Sequence, residues 1–598
     1  MKKDFDTIKE LYGSVKSNRA RNLPLWQTIS SVVGIGVNPQ YDATYDVKQG
    51  QQLDLLIDDP TAAISVNQAG DYIWGILWGT GDNVFNLVPS DYVLEMASKR
   101  ELDKYYQFVS KRVLEDMNNS NAGLNTCAKP YCYDQVAFGT SGLGCFPNKA
   151  FDNGVEDNPF FFRNYGVDNL AIDEGKNGLV DVIFVPLRWR VNRIVSEFAM
   201  DNGVLNKKIF SQLPKDIQAA YNSADYNKEF NIVHGIIPRD DFSPKYKGKR
   251  GARYRGIWFC DDNADKPFFE EDYKTLPIAV CRGIRIRGDV WGRASGTMII
   301  STIRSVNYMV GKVIEIVEKQ GSPSLGMFNN ALIGDGVLDT SADGINIFNP
   351  AMASDGKNPL FPLYDVGDPS KIIQFLIPYL NEKISTAFKI DILLDFASDA
   401  SKTATEMLQR SVIRGKSLAG FLQQQKCELI VPIIHRSVSI EQDKQRLGID
   451  ANVFAEEAKM LIDIGKADMI IPPAVVKCIS EGKPWYKIQF NNELEKLSRT
   501  ERVEALLKML NVITFLASGN QQIIMAFDWY KIAAEAKELL CPNSDWMFSA
   551  DEFKQQIAAN AEMMAKERQM LMLEQASNTA KNAAGADKLA AEASRGGK

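Results

Sequence analysis

Residues 295–321 read SGTMIISTIRSVNYMVGKVIEIVEKQG. Apolar residues fall at Ile299, Ile303, Val306, Val310, Val313 and Val317, in steps that alternate between four and three. That is a heptad seam with a period of about 3.5 residues. A helix from Ser295 to Gln320 would be roughly 39 Å long at ~1.5 Å per residue. Gly321, Ser322 and Pro323 supply its stop. Periodicity alone fits an ordinary core helix as well, so the neighbours decide what this one does.

Residues 321–368 are rich in Gly, Pro, Asn and Asp, with short strand-like pieces such as ALIG and INIF between turns. Then PSKIIQFLIPYLNEKISTAFKIDILLDF, residues 369–396, resumes an apolar helix. Pro378 lies inside it and is expected to kink or split it, because proline lacks the N–H and clashes with the preceding turn. Two long helices thus flank a small turn-rich insert. Paired antiparallel, they place the insert at one tip and the polar loop Ala397, Ser398, Asp399, Ala400, Ser401 and Lys402 at the other end. A restart follows at once. Thr403 and Glu406 have the T-x-x-E form of a capping box, in which the hydroxyl accepts from the Glu406 N–H and the glutamate accepts from the Thr403 N–H. Losing such a cap costs about 1 kcal/mol. A projecting helix pair suits assembly better than it suits an active-site cleft.

Residues 1–120 read mostly helical, and 130–290 read as β-rich. In the latter Leu187, Trp189 and Val191 alternate with Arg188, Arg190 and Asn192, and Ile284 and Ile286 alternate with Arg285 and Arg287. From 405 to 495 helix returns, with PPAVVKCISEGKPWYKIQF read as a short return to strand. The last hundred residues read as Ala-rich helix, with a capping box at Ser549 and Glu552. The fold class is α+β, mainly helical.

The chain has 598 residues, enough for about four units at ~150 residues each. A net charge of −6 provides no global basic field for DNA or acidic membranes. Its one local basic cluster is Lys245, Lys247, Lys249, Arg250, Arg253 and Arg255, interleaved with Tyr246 and Tyr254. It reads either as a contact for phosphates or an acidic partner, or as a solvated loop. Cys127, Cys132 and Cys145 match no zinc spacing and read as buried thiols. The N-terminus lacks the apolar core of a signal peptide, and no uncharged apolar run reaches ~18 residues, so no membrane span is expected. These features point to a cytoplasm-like setting. The two histidines, His234 and His435, lie far apart in sequence and form no H-E-x-x-H motif. No metal, cofactor or catalytic residue is expected. Gly415, Lys416 and Ser417 end like a phosphate-binding loop, but Arg410 occupies the position of its first glycine. A nucleotide-hydrolysing motor is therefore the weakest alternative. A capsid-associated scaffold or ejection protein that forms no pore is another.

Several stretches together resemble the podovirus-type bacteriophage portal (head-to-tail connector) family. RGDVWGRASGTMIISTIRSVNYM is similar to that family's G-[ED]-x-[YW]-G-R-[SG] turn feeding a long helix, through Gly288, Asp289, Trp291, Gly292, Arg293, Ser295 and Asn307. Thr403 to Met407 resembles its T-A-T-E-[MV] motif. CELIVPIIHR resembles E-x-[LI]-x-P-[LI]-[IL]-x-R through Glu428, Ile430, Pro432, Ile433, Ile434 and Arg436. Weaker echoes lie at FGTSGLG near 138–144 and at Arg21 and Trp26. The order holds over roughly residues 20–440.

The resemblance implies a ring of twelve copies at a capsid vertex, assembled in the host cytoplasm, with double-stranded DNA in its channel for packaging and ejection. Residues 1–290 and 403–495 would be the wing. Residues 291–320 and 369–396 would be the stem helices, 321–368 the clip, 397–402 a tunnel loop lining the channel, and 496–598 a crown and tail. Terminase, a tail adaptor and the major capsid or scaffolding protein are the implied partners. ATP hydrolysis would belong to terminase.

Overall fold

The computed structural model describes residues 5–33, 57–79, 84–201, 204–243, 249–261, 266–327, 368–389, 420–450, 469–490 and 529–540, with shorter pieces between 332 and 363, 453 and 461, 505 and 514, and 553 and 579. Its elements fall into two compact units, Met1–Leu494 and Glu495–Lys598. The first unit opens with helices α1 (Phe5–Val33) and α2 (Thr61–Leu77), strand β1 (Phe85–Pro89) and helices α3 (Lys99–Asn118) and α4 (Leu124–Ala137). Strands β2 (Thr140–Pro147), β3 (Phe160–Tyr165), β4 (Ala171–Glu174) and β5 (Val180–Arg190) follow. Helix α5 (Val191–Phe198) then leads to β6 (Glu229–Pro238), β7 (Tyr254–Cys260), β8 (Phe269–Tyr273) and β9 (Ile278–Arg282). The long helix α6 is Ser295–Gly321, and α7 is Ile377–Ala387. Helices α8 (Val431–Asp443) and α9 (Pro473–Glu481) and strand β10 (Tyr486–Phe490) complete it. In the second unit, helix α10 (Trp529–Leu540) sets the Tyr530 ring beside Phe553, with centroids 5.3 Å apart.

The strands form antiparallel sheets in the orders β8-β7-β6-β5-β4 and β9-β2-β3, and β1 pairs with β10. Both faces of β5 are covered. Val182 and Phe184 meet Ile8, Tyr12 and Val15 of α1, while Ile183, Val185, Leu187 and Trp189 face the main core. The period of two in a strand produces this split, and apolar residues at both parities allow burial on both sides. In the other sheet, Gly144 lies opposite Arg163. A Cβ there would come within 2.5 Å of Phe146 and 2.8 Å of Tyr165, so the glycine lets both rings fold over β2.

Two stretches differ from their sequence reading. Residues 473–481 are helix, and only 486–490 is strand. Pro473 sits in the first turn, where its missing N–H costs nothing, and Gly482 at φ 68° ends the helix in the left-handed region. The helix before α7 is also not split at Pro378. A π-helical turn over Ile372–Leu376 precedes it, and the Ile377 N–H reaches back to Ile372. The wider turn absorbs the missing N–H and the ring. The same device recurs at Lys426–Ile430, ahead of Pro432.

The start of α6 lies against the end of α7, where a Cβ on Gly296 would contact Phe388 at 3.6 Å. Past the far end of α6, Leu325–Met327 pairs antiparallel with Leu360–Pro362. The two helices therefore run antiparallel and pack on each other. Ile303 and Val306 are buried, Ile299, Val310 and Val313 are half-buried, and Val317 is 51% exposed.

Between α3 and α8, Arg446 bridges two acids, reaching Asp116 at 2.6 Å and Glu441 at 3.0 Å. Burial, and then the neighbouring Asp116 carboxylate, push the Glu441 carboxyl above the ordinary glutamate value of 4.5. An acid with a raised folded pKa binds its proton more tightly in the fold. Its contribution is greatest at acid pH and is lost as pH rises from the unfolded pKa through the folded one. Asp134 and Asp168 are raised by burial in the same sense. Stability should therefore fall between pH 5 and pH 9 in chemical denaturation. Glu441→Gln should recover about 1 kcal/mol of that decline, and a variant with the wild-type slope would show that Glu441 is ionised in the fold.

Candidate functional site

Glu428 and the turn before the long helix, both singled out from the sequence, meet around Arg282, which the sequence reading did not name. Arg282, the last residue of β9, has a fully buried side chain. Its Nη2 donates to Glu428 at 2.6 Å and to the Gly178 carbonyl at 2.8 Å. Its Nε donates to the other Glu428 oxygen at 3.4 Å. Its Nη1 donates to Glu174 and to the Val290 carbonyl. All the guanidinium N–H groups thus have an acceptor. The Arg282 backbone N–H also donates to Glu428, at 2.9 Å. Arg285 adds a second cation to Glu174 at 3.1 Å, so two arginines face two glutamates. Removing buried charge from water costs several kcal/mol per ion, and full pairing offsets that cost.

Local structure explains the aim of each group. Glu428 lies in the π-helical turn that Pro432 demands. The glutamate and the proline of the E-x-x-x-P pattern are therefore physically linked. One turn further on, Arg436 donates from Nε to the Cys145 carbonyl at 3.1 Å, and its guanidinium covers the Tyr273 ring at 5.2 Å.

The turn feeding α6 is held by backbone proximity. The Gly292 N–H donates to Thr140 Oγ1 at 3.0 Å, and the Gly283 N–H donates to the Gly139 carbonyl at 2.7 Å. A Cβ on Gly292 would lie 2.3 Å from the Gly139 oxygen. Gly288 has a φ of 85° but open space around it. Trp291 is buried edge-to-face on Trp26, with centroids 4.7 Å apart, so two separately noted tryptophans form one contact. Farther along α6, Asn307 accepts from the N–H groups of Asp58 and Asp59 at 2.7 and 3.0 Å. Arg293 is half-buried, 3.9 Å from Asp289.

The basic cluster is only partly brought together. Lys249 and Arg250 form an exposed turn in which Arg250 is 3.9 Å from Asp241. Arg253 covers Tyr254, and Arg255 is paired with Glu270 at 2.6 Å. Lys245 and Lys247 lie outside the described residues, as do Ala397 to Lys402, Thr403, Glu406, Gly415 to Ser417, Ser549 and Glu552. Among the described residues no group of three or more His, Cys, Asp or Glu could hold a metal, and no helix is long and apolar enough to cross a membrane. His234 stacks on Trp258 with its pKa lowered to about 3 by burial, and its ring nitrogen lies 3.3 Å from the Tyr273 hydroxyl. The junction brings together paired charges and backbone hydrogen bonds. What it can do is fix the root of a long helix.

Residues 5–463 match the family described as "Bacteriophage head to tail connecting protein". A "Probable portal protein" of Bordetella phage BPP-1 is 21% identical over 327 residues, 54% of each chain, so the match spans about half the length of that relative. Two solved assemblies are described as "Virion of native gene transfer agent (GTA) particle" and "Neck of empty GTA particle computed with C6 symmetry". Their chains align with 71% of this one and with 93% and 94% of their own length, at 11% and 12% identity. The TM-score is 0.26 in both, too loose a superposition to carry an argument.

The two glycines of the turn should separate under substitution. Gly292→Ala forces a backbone clash and should cost about 3 kcal/mol in urea unfolding, whereas Gly288→Ala meets only the left-handed penalty of about 1 kcal/mol. Equal losses would contradict this geometry.

Proposed function

This chain belongs to the bacteriophage head to tail connecting protein family, and from that premise we propose that it is the portal subunit of a tailed phage. Twelve copies close into a ring at one capsid vertex. The exposed distal half of α6 carries this reading. The buried residues of α6 are Gly296, Ile303 and Val306, all in its first half. Beyond them Tyr308 is 67% exposed, and Ile314 and Val317 are exposed too. On the partner helix, Phe375 is 71% exposed, and Ile373, Leu376 and Tyr379 are exposed with it. A helix apolar on several sides needs neighbours to cover it, and further copies of the chain supply them. Ring closure then requires a head-to-tail contact between unlike faces of adjacent subunits.

In this reading residues 291–320 and 369–396 are the stem, 321–368 is the clip that meets terminase and later the tail adaptor, and 397–402 is the tunnel loop. Residues 1–290 and 403–495 form the wing, and 496–598 the crown and tail. The ring is assembled in the host cytoplasm with the major capsid or scaffolding protein and resides in the virion. Duplex DNA passes through the channel. Small side chains in the loop and a net acidic chain keep phosphate contacts few, which lowers counterion-release affinity and eases sliding. The subunit contributes no catalysis.

Electron micrographs of the purified protein, beside a variant whose 397–402 loop is lengthened with bulky residues, test this. Closed rings with a duplex-wide hole are expected for both proteins, with DNA packaging impaired only in the variant. Open sheets or monomers at high concentration would favour a scaffold without a pore.

A further inference from the structure

Midway along α6, a cleft of about 430 Å³ is lined by Arg304, Tyr308, Gly311 and Lys312 of the helix, by Val32 near the end of α1 and by Asp58. Arg304, Tyr308 and Gly311 follow at steps of four and three, so they share one face of the helix. A Cβ on Gly311 would come 2.3 Å from the Asp58 carboxylate, so the glycine makes room for the aspartate at its own level. Lys312 is already paired, with Glu315 at 2.6 Å. Arg304 and Asp58 are exposed, and neither has an ion pair among the described residues. From the root outward the cleft thus offers a cation, the exposed Tyr308 ring and then a carboxylate. The other helix of the pair carries the opposite charges in the same direction. Its Ile384 and Phe388 are buried, Phe388 on the α6 side against Gly296. Glu382 and Phe375 are exposed on the far side, and Lys371 is exposed one turn beyond Phe375. Neither Glu382 nor Lys371 has an ion pair among the described residues. Counted from the Gly296–Phe388 contact at ~1.5 Å per residue, Arg304 and Glu382 stand about 12 and 9 Å along the pair, Tyr308 and Phe375 about 18 and 19 Å, and Gly311 and Lys371 about 22 and 24 Å, with one residue taken off for the π-helical turn.

We propose that this cleft is the seat of a second copy of the chain. The neighbouring copy's Phe375 enters beside Tyr308 and Gly311, its Glu382 meets Arg304, and its Lys371 meets Asp58. Rotation about a ring axis that runs along the helix pair leaves height unchanged, so groups equally far from the root can meet between copies. Each level then brings together opposite charges or two aromatic rings. An apolar anchor in a pocket supplies the binding, and ion pairs at its rim fix the register. The inference rests on the ring reading and adds to it which faces of adjacent subunits meet.

Arg304→Glu and Glu382→Arg, made separately in the full chain, test the contact through ring closure in electron micrographs and sedimentation. Each alone sets like charges opposite one another between copies and should block closure at a concentration where the wild type closes. Mixed in equal amounts, the two variants should close again, because each supplies the charge the other lacks. A pairing within one chain is not rescued by mixing. Phe375→Ser should raise the protein concentration needed for closure about tenfold or more. All three side chains are exposed in the single subunit, so its thermal unfolding should not change, which shows that the comparison is between folded proteins. Single variants that close like the wild type, or a mixture that stays open, would overturn the contact while wild-type rings leave the ring reading standing. A wild type that forms no ring at any concentration would refute the ring reading, and the contact with it.

Discussion

The ion pair between Arg282 and Glu428 is the constraint on which the rest of the first unit's architecture depends. It joins the end of β9 to a π-helical turn 146 residues later, at 2.6 Å and without solvent access to the guanidinium. Around it gather Glu174, Gly178 and Val290, from the β4–β5 turn and the turn that launches α6. A buried pair of this kind is a poor source of stability compared with apolar packing, but it penalises any arrangement that leaves one partner alone. It therefore specifies a single geometry. The root of the long helix cannot shift relative to the sheets without stranding a charge.

Rigidity at the root contrasts with exposure beyond it. Trp26 on Trp291 and Asn307 on the Asp58 and Asp59 amides fasten the first half of α6. Past Asn307 the chain's own core gives little cover, and apolar side chains stand in the open. A fixed root and an uncovered shaft suit a subunit whose fold is completed by its neighbours. In the proposed ring, a root that cannot rock would present the same faces of the shaft in every copy, as a closed symmetric assembly requires.

Much of this was legible in the sequence where a single physical rule dominates. The heptad spacing in 295–321 announced a long helix, and the alternation at 187–192 announced a strand whose observed bounds are Val180–Arg190, because burial periodicity is local. The motif residues Glu428, Arg436, Trp291 and Asn307 were visible as a set, but their roles were not. Each acts on a partner far off in the chain, and no local pattern names Arg282 as the partner of Glu428. Strand β1 went unread inside a helical stretch, because it exists by pairing with β10, four hundred residues away. Residues 473–481 have the β-branched content of a strand, yet Pro473 and Gly482 frame them as a helix. At 372–378 the helix is not split at proline but passes through a wider helical turn, a solution that propensity alone does not anticipate.

A double-mutant cycle on Arg282→Met and Glu428→Leu, read as unfolding free energy, tests the central claim most directly. Arg282→Met leaves the buried Glu428 carboxylate without its cation and should cost about 3–5 kcal/mol, while Glu428→Leu leaves Arg282 on Glu174 alone and should cost less. The paired substitution strands none, so its loss should fall below the sum of the singles by about 2 kcal/mol or more. Strictly additive losses would show that the two side chains do not depend on each other, and the account of a locked helix root would fail.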